Sequence, residues 1–205
     1  MKKGISLFLL GIGAIMLFAI PVMALHGETS RVQWFSDWSN VSMASSNLRT
    51  YDWGASFNLN TYGLKPMDAV TVWWVIFNYP EYCTHGTGGY RCGEGDLAPF
   101  GGNSSVESSV VHADGDVIDY RGFGHFQGNL MANDASKALF GNGLVHPEGA
   151  DIHFVVRSHG RVWGSLVREQ LNTFGGGCNN APPGTGMPGP NTCWDAQFSV
   201  HEQWN

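Results

Sequence analysis

Short runs in which apolar and polar residues alternate recur along this chain, the period-two pattern of strands with one buried face. Ser56–Asn60 (SFNLN) sets Phe57 and Leu59 against polar neighbours. Ala69–Phe77 (AVTVWWVIF) differs, because both of its faces are apolar: Val70, Val72, Trp74 and Ile76 point one way, Thr71, Trp73, Val75 and Phe77 the other. That pattern predicts a central strand covered on both sides. Ile152–Arg157 carries Ile152, Phe154 and Val156 as its core-facing set and places Asp151, His153, Val155, Arg157 and His159 opposite. Arg31–Phe35, Val106–His112, Asp116–Tyr120 and Phe123–Met131 are further strand candidates. Ala196–His201 closes the set, with Phe198 and Val200 expected inward and Gln197, Ser199 and His201 on the polar side. Asp114-Gly115 predicts a two-residue hairpin turn. Asp134–Phe140 predicts a short helix, capped by Asn133 or Asp134 and ended by Gly141. Ser165–Leu171 fits either a helical turn or a strand. Many short strands with turn signals between them predict an all-β fold: a single, mainly antiparallel β-sandwich with at most one or two short helices.

Glycine supplies 28 of 205 residues and tryptophan 8, a composition of tight turns and sheet-packed aromatics that agrees with this reading. The first residues break the pattern. Lys2 and Lys3 precede an apolar run from Ile5 to Ile20, Pro21 interrupts it, and Val22-Met23-Ala24 offers a cleavage site. Residues 1–24 therefore read as a secretory signal peptide, and residues 25–205 as one domain. The implied location is secreted, periplasmic or on an extracellular surface. The rival reading of Lys2-Lys3-Gly4, a pilin-like filament helix, conflicts with Pro21, since proline inside a helix costs about 3 kcal/mol. Removing two of the 11 basic residues leaves 9 against 17 acidic ones, a net charge of −8. Such a chain repels phosphate backbones, so no nucleic acid is expected as a partner. No integral membrane span is expected once the leader is removed.

An exported chain with four cysteines, Cys83, Cys92, Cys178 and Cys193, reads as holding two disulfides. Spacing favours the local pairs, Cys83 with Cys92 and Cys178 with Cys193. Each closes a loop rich in glycine, proline or threonine, and a bridge there contributes about 2–4 kcal/mol. Neither pair has the gap of a zinc ribbon.

Eight histidines are the candidate metal ligands. No HxH, HxxxH or HxxE spacing brings any of them together locally. A copper or zinc site built from His125, His153 and His201 on neighbouring strands is one expectation, with Cu or Zn as the implied cofactor. His26 would bind copper through its own amine only if the leader were cut after Leu25, where Ala24 is the better site. Asp114, Asp116 and Asp119 lack the spacing of an EF-hand, and Glu94 with Asp96 reads as a solvated turn. No GxSxG, phosphate loop or dinucleotide fingerprint appears, so no catalytic residue is assigned. Trp34, Trp38, Trp53, Trp163, Trp194 and Trp204 lie outside the central strand; two or three exposed on one face would stack sugar rings.

Three stretches, VTVWWVIFNYPEYC at Val70–Cys83, CGEGDL at Cys92–Leu97 and GADIHFVVRSHG at Gly149–Gly160, resemble a group of uncharacterised secreted prokaryotic β-domain proteins. More distantly, IHFVVRSHG is similar to the histidine-containing strand of CHRD-type extracellular domains. The resemblance implies a β-sandwich and lends no catalytic residue. The resulting expectation is a secreted or cell-surface, non-catalytic binding or structural module. Its alternatives are a metal-binding extracellular protein and a carbohydrate-binding module. A cell-surface component, a polysaccharide or self-association would supply the partner.

Overall fold

A computed structural model describes residues 26–203; the expected leader at residues 1–24 and Trp204 lie outside the described residues. The strands are β1 (His26–Ser30), β2 (Gln33–Trp34), β3 (Ser45–Tyr51), β4 (Gly54–Thr61), β5 (Asp68–Phe77), β6 (Ser108–Val117), β7 (Gly124–Met131), β8 (Ala138–Phe140), β9 (Asp151–Arg161) and β10 (Trp194–His201). A single α-helix among the described residues, α1, spans Val167–Asn172. The strands form a four-stranded sheet, β1-β3-β4-β7, and a six-stranded sheet, β2-β10-β9-β5-β6-β8. Every pairing between these strands is antiparallel. The architecture is the all-β sandwich that the alternating runs predict.

The core between the sheets comes from one face of each alternating run. Val70, Val72, Trp74 and Ile76 meet Leu48, Phe57, Leu59 and Phe126 across the gap, with Phe154 beside them. The Phe57 ring lies 4.5 Å from Phe154 and 4.9 Å from Trp74. Burying each such side chain stabilises the fold by about 1.5–3 kcal/mol. β5 sits between β9 and β6, and all ten of its residues are buried. Its second face, Trp73, Val75 and Phe77, packs with Cys92, Leu97, Val106 and Val110 in a separate core.

That second core exists because two long excursions fold back over the outer face of the six-stranded sheet. Residues 78–107 are stapled by Cys83–Cys92 and residues 162–193 by Cys178–Cys193. Both bridges are the local ones. The Gly/Pro-rich part of the second excursion is held against the sheet partly by Asn191, whose Nδ2 donates to the carbonyls of His159 and Arg161.

Three local expectations are corrected. Asp114-Gly115 is no turn: β6 runs straight through it, with Asp114 opposite Val72 and Gly115 opposite Thr71. Glycine is needed there because a Cβ would stand 2.2 Å from the Leu171 carbonyl oxygen, so α1 can approach only a bare backbone. The expected helix over Asp134–Phe140 is a turn followed by β8, which pairs with β6 through Val110–Phe140 and Val111–Ala138. Seven residues make a marginal helix on their own, and the unpaired edge of β6 offers these apolar residues a better partner. The ambiguous Ser165–Leu171 is resolved as α1.

The third correction concerns β10, whose faces are the reverse of those expected. Gln197 and His201 point between the sheets, while Phe198 points outward to Phe35 at 4.8 Å and Trp38 at 5.1 Å. The covering excursion shelters the outward apolar face, so both faces of this strand are buried and alternation alone cannot tell inside from outside.

Candidate binding face

Among the described residues, nothing covers the outer face of the four-stranded sheet. Its polar residues come from the strand positions that alternate with Leu48, Phe57, Leu59 and Phe126, which are buried in the core. Register aligns them in rows across the sheet. Thr29, Asn47, Asn58 and Gln127 form one row; Gly27, Arg49, Ser56 and Asn129 form the next; Ser45, Asn60 and His125 form a third. No Asp or Glu occupies these positions, although the chain holds 17 such residues. A depression of about 650 Å3 is lined by the β1, β3 and β4 members of the first two rows together with Glu28, Leu48 and Phe57.

The side chains of this face partly organise one another. Thr29 Oγ1 donates to Asn47 Oδ1 at 2.7 Å, and Asn60 Nδ2 donates to Asn58 Oδ1 at 3.0 Å. His125 Nδ1 donates to Asn60 Oδ1 at 2.8 Å. The Nδ2 groups of Asn47 and Asn58 and the side-chain amides of Gln127 and Asn129 make no hydrogen bond among the described residues, so they remain available to a ligand. At one end of the face Tyr51 and Trp53 stack at 4.6 Å across the β3–β4 turn.

The histidines expected to share a metal are divided among three surfaces. His125 is exposed on this bare face. His153 lies on the outer face of the six-stranded sheet, 5.0 Å from Phe77 and 6.4 Å from Tyr90. His201 points between the sheets, 5.6 Å from Phe154. Two sheets therefore separate ligand atoms that one ion would require within about 2 Å of itself. The His153 Nε2 is closed off from solvent without a partner among the described residues, and burial pushes its pKa down to about 3, with neighbouring His201 acting in the same direction. The tryptophans are dispersed as well. Trp34 packs at the rim of the inter-sheet core, Trp38 joins Tyr90 and Phe198, and Trp163 and Trp194 are exposed elsewhere.

The acidic candidates serve the backbone. Asp114 accepts from the Gly115 and Gln127 amides, and Asp119 from those of Arg121 and Phe123. Asp96 is fully buried; burial raises its pKa, but hydrogen bonds from the Thr84 and Gly93 amides and from His85 outweigh that and lower it overall. Glu94 is exposed in the same turn. Asp151 anchors the first excursion through Arg91, with contacts of 2.6 and 2.9 Å.

Two histidine constellations escaped the spacing argument. His201 Nε2 lies 2.8 Å from Ser46 Oγ, and its Nδ1 lies 3.4 Å from Glu28 Oε2. This is the order of a nucleophile, base and acid, yet Ser46 and His201 are fully buried. The Ser46–His201 hydrogen bond ties β3 to β10, with Glu28 of β1 beside the ring, and burial gives a substrate no path to the hydroxyl. The second is His159, on the covered face, whose Nδ1 stands 3.6 Å from Cys178 Sγ and 3.9 Å from Cys193 Sγ. Its sequence separations from those cysteines, 19 and 34, carry no motif signal.

The stretches VTVWWVIFNYPEYC, CGEGDL and GADIHFVVRSHG form β5 with the turn after it, the Asp96 turn, and β9. Comparison with known proteins finds no family profile, no curated relative and no solved structure that matches this chain.

Proposed function

We propose that the chain is an exported, non-catalytic binding module that holds a hydroxyl-rich glycan on the bare face of its four-stranded sheet. The observation that carries this reading is the continuous field of amides and hydroxyls in aligned rows, none of whose positions holds an Asp or Glu. Amides offer both a donor and an acceptor, which matches sugar hydroxyls that do the same. Arg49 adds the one formal positive charge in the aligned rows, which favours glycans bearing carboxylates over strictly neutral ones. The Tyr51–Trp53 pair supplies an aromatic lip for the apolar side of a sugar ring. The two disulfides and the leader-like first 24 residues support work in an oxidising space outside the cytoplasm.

Titration of the purified chain against a panel of soluble neutral and uronic-acid polysaccharides tests the reading, with mass spectrometry of the exported product locating its N-terminus. Binding that weakens on Asn58→Ala and Gln127→Ala, while the fold persists, supports it. A panel that gives no binding, or binding indifferent to both substitutions, overturns it.

A further inference from the structure

The Cys178–Cys193 bridge sits against a histidine that the fold has already oriented. Trp73 Nε1 can only donate, so Thr71 Oγ1 accepts from it at 2.8 Å. Thr71 then donates its own hydroxyl proton to His159 Nε2, also at 2.8 Å. The Gly176 carbonyl can only accept, so His159 Nδ1 carries the ring proton toward it at 2.9 Å. The result is a neutral imidazole with Nδ1 facing both sulfurs. Burial, the largest influence on it, holds its pKa down at about 4.

The distances from that nitrogen to the sulfurs are those of ligands on one ion. Bonds of about 2.0 Å to nitrogen and 2.3 Å to sulfur place the two ligand atoms roughly 3.5–3.7 Å apart. The observed separations are 3.6 and 3.9 Å. The sulfur–sulfur contact must open, and the Gly176 carbonyl that now accepts the Nδ1 proton at 2.9 Å must turn aside to free the nitrogen lone pair. A cavity of about 350 Å3, walled by Gly175, Pro182, Pro188 and others of the Gly/Pro segment, includes Cys178 in its lining and gives an approach.

We infer that reduction of this bridge creates a binding site for one soft d10 metal ion, Cu+ in preference to Zn2+, held by Cys178 Sγ, Cys193 Sγ and His159 Nδ1. A dithiol is the reductant: it loses two electrons and two protons and closes to its own disulfide, while the Cys178–Cys193 bond breaks and each sulfur takes a proton. Metal binding releases both protons to solvent. The imidazole proton moves to Nε2; the Thr71 hydroxyl turns its own proton away from the ring and accepts from both Trp73 Nε1 and His159 Nε2, and this partner fixes the ring. Three strong ligands in a dry pocket suit the low coordination number of Cu+; Zn2+ asks for a fourth.

The test uses the full chain, reduced anaerobically with a water-soluble phosphine, desalted, and titrated with Cu+ against a coloured Cu+ chelator. The expected result is one Cu+ withdrawn per chain, with two sulfurs and one nitrogen around copper by X-ray absorption. His159→Gln is expected to weaken binding by at least about tenfold. A Cys178→Ser/Cys193→Ser chain, reduced at Cys83–Cys92 in the same way, is expected to lose the site. Near-ultraviolet dichroism follows the fold of each. The inference is overturned by no Cu+ uptake, by an all-sulfur shell, by an unchanged affinity in His159→Gln, by tighter Zn2+ than Cu+ binding, or by a reduced chain that no longer holds its fold.

Discussion

The two outer faces of this sandwich are built alike and finished differently. The six-stranded sheet presents Trp73, Val75 and Phe77, and two disulfide-stapled excursions cover them. The four-stranded sheet presents Asn47, Asn58, Asn60 and Gln127, and none of the described residues covers them. The contrast teaches where stability and function divide. Chain length is spent on shielding the apolar face, where water would cost most. The polar face stays open because its groups lose nothing in water and can exchange it for a ligand.

The sharpest way to break the contrast is to loosen the cover. Arg91→Met leaves the Asp151 carboxyl buried without its principal cation, and a loss of about 3–5 kcal/mol in chemical denaturation is expected. Adding Asp151→Leu to it should recover much of that loss. An equal loss in single and double variants would show that the pair is not what pins the first excursion. Replacing Cys83 and Cys92 together by Ala should cost less, about 2–4 kcal/mol, and leave glycan binding on the opposite face intact.

Acid should also act on the covered face first. His153 and His159 have folded pKa values pushed down to about 3 and about 4, against an unfolded value near 6.5. The unfolded chain therefore binds more protons below pH 6.5. The stability these neutral histidines contribute is present above that pH and falls as the pH drops toward their folded values, by roughly 1.4 kcal/mol per pH unit for each. Burial raises the pKa values of Asp68 and Asp151, which work in the opposite sense and reduce the net slope. Thermal midpoints measured from pH 7 to pH 5 should fall, and His153→Leu should flatten that fall by removing one of the two imidazoles whose folded pKa is depressed.

The smallest stability effects belong to the bare face. Asn58→Ala and Gln127→Ala should each change unfolding free energy by less than about 0.5 kcal/mol. Each should weaken glycan binding by about fivefold, the value of roughly one hydrogen bond near 1 kcal/mol. A large loss of stability from either would mean that this face is part of the scaffold rather than a place for a ligand.

The central strand was legible in the sequence because AVTVWWVIF is apolar on both faces, and only a doubly covered strand needs that. The local bridges were legible too, since each closes a short glycine- or proline-rich loop. The first row of the binding face was only half visible: Ser56–Asn60 alternates clearly, but SSNLRTY in β3 holds a single large apolar residue and gave no strand signal. The shared metal site of His125, His153 and His201 illustrates the limit. Alternation assigns a side chain to one of two faces, but it does not say which sheet the strand joins or what lies over it.

By itself, then, the sequence determined the period, the number of covered faces on β5 and the pairing of its cysteines, because these depend on neighbours near in the chain. Tertiary structure alone decided that Gln197 and His201 turn inward to meet Thr61 and Ser46, 136 and 155 residues away. It also decided that His159 meets a disulfide, and that amides from β3, β4 and β7 fall into rows. Register between distant strands sets these meetings, and register is fixed by the whole pattern of burial rather than by any local run.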